Sequence, residues 1–149
     1  MITLRVSKKG FTMMEVMLAV AIAALTLCGI LLTYATCFNL IKTSKNVSIA
    51  ASAARGLMDE IRNTPFHSIR DYNNITFDVD NMPQNKGVVY VDETNPELLK
   101  VTISVSWKQG NKVIGEDTNF NGLVDAGEST DAILDSPVEL VTLISNREI

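Results

Sequence analysis

The sequence is poor in the residues that most often build reactive or cross-linked sites. It holds one His and two Cys in 149 residues. That excludes a His/Cys zinc cluster and a disulfide-stapled miniprotein. It has no basic surplus either, since 13 Lys+Arg face 17 Asp+Glu for a net charge of −4. Nucleic acid is therefore not an inferred partner. No G-x-G-x-x-G, P-loop, G-x-S-x-G or C-x-x-C occurs. Proline is missing before Pro65, and charge is missing from residues 16–41. What is present argues against disorder: 46% of residues are apolar and 20% charged. The length suits one domain, or a small domain with an appendage.

The chain is polarised. Residues 1–10 carry Arg5, Lys8 and Lys9 and no acid. Residues 16–38 then form a mostly apolar run. At about 1.5 Å per residue such a run crosses a bilayer core of roughly 30 Å. The basic stretch precedes it, which places the N-terminus in the cytoplasm and the remainder across the membrane. The run is too long for a cleaved secretory signal, whose apolar core is about 7–15 residues. Beyond residue 10 the chain holds ten Lys+Arg and seventeen Asp+Glu, a net −7. The polar part is acidic.

Glu15 is the lone charge between Lys9 and Lys42. An acid at the edge of a membrane span is costly and points to a partner, although a first-turn acid also favours the helix dipole. The segment Lys8-Lys9-Gly10-Phe11-Thr12-Met13-Met14-Glu15, followed by an uncharged helix, resembles the class III signal of type IV pilins and type II secretion pseudopilins. The resemblance covers about residues 5–40. It implies cleavage after Gly10 by a prepilin peptidase and methylation of the new N-terminal Phe11. It also implies that Glu15 neutralises the terminal amine of a neighbouring subunit during assembly. A buried carboxylate is tolerable when a cation pairs with it. Further implied are other pilin or pseudopilin subunits and an inner-membrane assembly platform as partners, and a bacterial inner-membrane location with the head in the periplasm.

Past the apolar run, Ala50, Ala53, Ala54, Leu57, Met58 and Ile61 recur at three- and four-residue spacing, with Lys45, Arg55, Asp59 and Arg62 between them. That is an amphipathic helix. Pro65 biases Thr64 away from helix, so the end falls near residue 63. The long helix occupies 11–64 and would be about 80 Å long. Cys28 and Cys37 lie on opposite faces about 13 Å apart along it and cannot bridge within one chain.

Residues 65–149 read as a β-rich head. Ile75, Phe77 and Val79 alternate with polar residues, and 87–91 is a short β-rich run. Leu99, Val101, Ile103, Val105 and Trp107 alternate with Lys100, Thr102, Ser104, Ser106 and Lys108, which predicts a half-buried strand with one polar face. Residues 109–112 read as a turn into Val113-Ile114, and 138–144 is a last β-branched run. These 85 residues are too few for a large independent core, so the sheet is expected to pack on the amphipathic half of the helix. The fold class is α+β, a long N-terminal helix against a small antiparallel sheet. The head resembles those of minor pilins and I-type minor pseudopilins, and it lacks the Cys pair common in major pilins.

Residues 117–128, DTNFNGLVDAGE, fit D-x-[DN]-x-[DN]-G-x5-E at every position. Asp117, Asn119 and Asn121 would supply side-chain oxygens, Leu123 its carbonyl, Asp125 a water-mediated contact, and Glu128 a bidentate carboxylate. Gly122 stands where such a loop turns sharply. An all-oxygen set suits calcium rather than zinc. The loop resembles an EF-hand loop without the flanking helices, and its expected role is structural bracing.

Asp78 and Asp80 read as a solvated strand face, and His67 as a loop residue. No residue pattern proposes an enzyme. Besides a membrane-anchored periplasmic enzyme using an acidic site that no motif marks, two readings remain. One is a structural subunit, of minor type, in a type IV pilus or type II pseudopilus. The other is an uncleaved, single-pass membrane-anchored calcium-binding module.

Overall fold

A computed structural model describes residues 10–129 and 133–146. The basic leader residues Arg5, Lys8 and Lys9 lie outside these. The architecture is α+β, with one long helix and a five-stranded antiparallel sheet. The chain divides into two compact units, Met1–Ile41 and Lys42–Ile149.

The first unit holds the start of helix α1, Met13–Arg62. The helix begins two residues later than the sequence suggested, because Thr12 caps it. The Glu15 backbone N–H donates to Thr12 Oγ1 at 3.3 Å and to the Thr12 carbonyl at 3.1 Å. Thr12-x-x-Glu15 has the spacing of a capping box. Residues 10–41 are all exposed, including Leu25 at 75% and Leu32 at 72%. Among the described residues nothing covers the apolar run. By length and composition it can cross a membrane. Its hydroxyls suit that medium: Thr26 donates to the Ala23 carbonyl, Thr33 to Gly29 and Thr36 to Leu32, at 2.9–3.0 Å. The three threonine hydroxyls are thereby satisfied within the helix. Tyr34 and Phe38, one turn apart, meet edge to face at 4.6 Å between ring centres near the end of the run.

In the second unit the helix continues to Arg62, one residue short of the expected end. Ala50, Ala54, Met58 and Ile61 are its buried stripe. They share one core with Val89, Val91, Leu99, Val101, Ile103, Val105 and Trp107 of the sheet. The alanines allow the helix backbone close to the sheet. The sheet comprises β1 Thr76–Phe77, β2 Asn85–Asn95, β3 Leu98–Gln109, β4 Lys112–Ile114 and β5 Glu139–Ser145. Spatial order is β1-β2-β3, and the far edge of β3 is shared. Its C-terminal end pairs with β4 and its N-terminal end with β5. Arg62 Nη2 donates to Thr142 Oγ1 at 2.9 Å and ties the helix end to β5. A 3-10 helix, Phe66–Tyr72, follows Pro65 and was not foreseen. It buries Ile69 and leaves His67 exposed.

β3 departs from the expected half-buried strand. Thr102, Ser104 and Ser106 are each about 2% exposed, so 101–107 is buried on both faces. The segment between β4 and β5 folds over the polar face. A Cβ on Gly115 would stand 2.2 Å from Ser106 Oγ, so only glycine lets the chain pass there. Buried Leu134 donates its N–H to the Tyr90 hydroxyl at 3.2 Å, and the Ser136 hydroxyl donates to the Val105 carbonyl. Alternation read Ser and Thr as solvent-facing. They are instead small polar residues under a second layer. β1 is also shorter than the 75–79 alternation suggested. Val79 leaves the ladder because its N–H and carbonyl bond to the Asn85 amide, at 2.6 and 3.0 Å.

The β2–β3 turn carries a pH-sensitive element. Asp92 Oδ1 accepts the Thr94 hydroxyl at 2.5 Å and the Thr94 N–H at 2.9 Å, with Lys100 paired across the strands. The Thr94 hydroxyl, then its N–H, and more weakly Lys100 hold this carboxyl below its ordinary value of 3.8. A depressed folded value contributes stability that is complete above the ordinary value and lost as pH falls through the folded one. Asp92→Asn is therefore expected to flatten the stability–pH curve below about pH 4 and to leave its shape above that unchanged. Denaturant titrations of the full chain in detergent across that range measure it.

Candidate functional site

Two clusters carry the sequence motifs, one in each unit. In the first unit, Gly10, Phe11, Thr12 and Glu15 line a small surface depression at the start of the helix. Phe11 is 82% exposed. Glu15 also lines an apolar groove with Phe11, Val16, Ala19, Val20 and Ala23 along one helix face. Its carboxylate has no ion-pair partner among the described residues. A single acid thus opens an otherwise uncharged, uncovered face, and its side chain is free to meet a cation brought by another molecule.

The second cluster is the 117–128 loop. It leaves β4 after the Gly115-Glu116 corner, where the Glu116 N–H donates to the Asp135 carbonyl at 2.9 Å. The backbone is turned into the left-handed region at Phe120 (φ 59°), Gly122 (φ 73°) and Gly127 (φ 95°). Gly122 is required twice over, since a Cβ there would also stand 2.4 Å from Thr76 Cγ2 on β1. The expected sharp turn therefore sits where the motif placed it, pressed against the sheet.

Asp117 is the buried anchor of the loop, with 0% exposure. Its Oδ1 accepts the Asn121 N–H at 3.2 Å and its Oδ2 the Gly122 N–H at 2.9 Å. Asn119 Oδ1 accepts the Asn121 N–H at 3.0 Å, and Asn121 Oδ1 accepts the Leu123 N–H at 2.7 Å. Asp125 Oδ2 accepts both side-chain amides, from Asn119 at 2.6 Å and Asn121 at 2.9 Å. Glu128 closes the ring. Its Oε1 accepts the Thr118 N–H at 2.8 Å and the Thr118 hydroxyl, and its Oε2 accepts the Asp125 N–H at 3.2 Å. The Thr118 hydroxyl is the main cause, and the Thr118 N–H the next, of a Glu128 carboxyl held below its ordinary value. The fold thus links Asp117, Asn119, Asn121, Leu123, Asp125 and Glu128 in one hydrogen-bonded loop. It does not gather the acids on a point: among the described residues no three His, Cys, Asp or Glu side chains converge as metal ligands. The carboxylates face N–H donors instead.

The remaining sequence candidates are structural. Asp78 pairs with Lys86 at 2.7 Å rather than with Asp80. Trp107 is fully buried in the shared core. Cys28 and Cys37 are exposed free thiols on the apolar run.

No protein-family model, curated protein or solved structure matches the chain.

Proposed function

We propose that the chain is a structural subunit of a type IV pilus or type II secretion pseudopilus, of the minor class. In this reading a prepilin peptidase cuts between Gly10 and Phe11 and methylates Phe11. The chain waits in the bacterial inner membrane with its head in the periplasm, and an assembly platform packs it helix to helix with other subunits. The observation that carries the proposal is the junction of motif and exposure. The Lys8-to-Glu15 signal opens a helix whose apolar residues are all exposed as far as Ile41. Such a helix needs lipid or other helices to cover it.

Calcium belongs to the same proposal as a brace for the head. The donor set is all oxygen, and the loop already has its Gly turn and its buried Asp117. Asp117 has no ion-pair partner among the described residues. Each of its oxygens keeps a lone pair after accepting one N–H. Asp125 is held by two neutral amide donors where a cation would serve it better. Asp117, Asn119, Asn121, Asp125, Glu128 and the Leu123 carbonyl would hold the ion, which would supply the positive charge that three neighbouring carboxylates lack.

The test is the mass of the N-terminal peptide taken from the native membrane fraction. A chain beginning at Phe11 with one added methyl group is the expected result. A chain still beginning at Met1 would sink the pilin reading and leave an uncleaved, single-pass membrane-anchored calcium-binding module.

A further inference from the structure

The acidic head carries a basic hollow whose first lysine follows the apolar run closely in sequence. Lys42 is the first charge after Glu15, four residues beyond residue 38. Lys42, Lys45 and Asn46 of the helix, Asn81 of the β1–β2 connection, and Lys108 and Gln109 of β3 line a hollow of about 270 Å³. No carboxylate lines it, and none of the three lysines has an ion-pair partner among the described residues. The neighbouring acid in the chain, Asp80, is exposed and is not part of the lining.

The walls are held in place. Gln109 Nε2 donates to Thr43 Oγ1, which fixes the end of β3 to the helix between the two lysines. The Asn85 amide staples the opposite wall, bonding Val79 N–H, Val79 carbonyl and Met82 carbonyl at 2.6–3.0 Å. The Lys108 N–H donates to the Gln84 carbonyl at 2.8 Å and joins that turn to β3. Asn81 takes a left-handed conformation at φ 61° to complete the turn.

We propose that this hollow binds the phosphate of an anionic phospholipid headgroup. Depth and charge both favour lipid as the source. At about 1.5 Å of rise per residue, Lys42 follows residue 38 by roughly 6 Å of helix, and Lys45, at roughly 10 Å, reaches back toward the same layer through its long side chain. The headgroup layer of one leaflet is roughly 5–8 Å thick. Three cations with no acid opposite suit a phosphodiester. Asn46 and Asn81 add neutral polar groups for its glycerol hydroxyls. Each lysine beside an anionic surface is worth roughly fivefold in partition. The site would anchor the head to the membrane surface before the chain moves elsewhere. It rests on the membrane-span reading of 16–38 and on neither leader cleavage nor assembly.

The experiment is amide chemical-shift mapping on the full chain in zwitterionic micelles. The micelles are titrated with phosphatidylglycerol, with phosphatidylcholine, or with inorganic phosphate at matched ionic strength. A doxyl-labelled fatty acid in the micelle reports insertion separately, by broadening residues 16–38. The expected result is broadening of 16–38 together with saturable shifts at Asn46, Asn81 and Gly110 with phosphatidylglycerol, at least tenfold tighter than with phosphatidylcholine. The exposed pair Lys42→Gln and Lys45→Gln, which leaves the sheet untouched, is expected to weaken binding at least tenfold, and adding Lys108→Gln to weaken it further. Broadening without phosphatidylglycerol-selective shifts would overturn the lipid site while sparing the span. Sharp resonances throughout 16–38 would overturn both. Equal shifts with inorganic phosphate would make it a site for soluble phosphate and overturn the lipid assignment.

Discussion

Glu15→Gln is expected to leave the chain inserted in the membrane and to lower its incorporation into filaments on the order of 100-fold. The size follows from the cost of an unpaired charge in a membrane, about 2.5–3.5 kcal/mol at mid-depth. In the proposed filament, losing Glu15 would leave the neighbouring subunit's terminal amine without its anion, and 3 kcal/mol is a factor of about 10² in partition. Gln is the informative substitution because Thr12 caps the helix three residues earlier. A capping box accepts Gln in place of Glu. If Glu15 served only the helix start, Glu15→Gln would behave as the parent chain. The measurement is the ratio of chain in the sheared filament fraction to chain in the membrane fraction. An unchanged ratio would remove the assembly role and leave Glu15 as a first-turn acid favoured by the helix dipole.

Calcium is expected to raise the thermal midpoint of the head by about 10 °C or more in the full chain held in detergent. Extracellular calcium loops bind at about 10⁻⁴–10⁻³ M. At 100 times the dissociation constant, linkage contributes about 2.7 kcal/mol. For a unit the size of the head, each kcal/mol moves the midpoint by about 4–8 °C. Chelator should reverse the shift, and magnesium should not reproduce it, because its smaller octahedral shell suits a twelve-residue loop poorly. Asp117→Ala is expected to abolish the response and also to lower the midpoint without calcium. It strips the acceptor from the Gly122 N–H beneath a fully buried side chain and leaves the Asn121 N–H with Asn119 Oδ1 alone. The orphaned Gly122 donor costs about 1–3 kcal/mol. A chain whose midpoint ignores calcium, with Asp117 intact, would reduce the loop to an Asx-rich turn.

These two sites were legible in different ways. The Gly10-Phe11-Glu15 signal is linear and needs no tertiary structure to be seen, yet the same stretch hid the Thr12 cap. Glu15 belongs both to the Thr12-x-x-Glu15 capping spacing and to the stretch that resembles the pilin signal. The calcium-type loop was legible as spacing, since Gly122 and its neighbours are set by local turn geometry. The burial of Asp117 was not, because it depends on Thr76 and β1 pressing on Gly122 from far away in the chain.

Local periodicity alone determined the uncharged membrane-length run, the amphipathic stripe from Ala50 to Ile61, and the existence of a strand at 99–108. Each depends on residues within a few positions of one another, where helix and strand geometry act directly on the sequence. Only the tertiary structure decided three other things. It placed Thr102, Ser104 and Ser106 under a second layer, because the 115–138 excursion crosses that face of β3. It divided the far edge of β3 between β4 and β5, since strand pairing is chosen by the core that the whole sheet shares with the helix. It also brought Lys108 beside Lys42 and Lys45 to make a basic hollow in an acidic head. Net charge is a sum over the chain, whereas a binding site is a sum over neighbours in space, and only folding determines which lysines are neighbours.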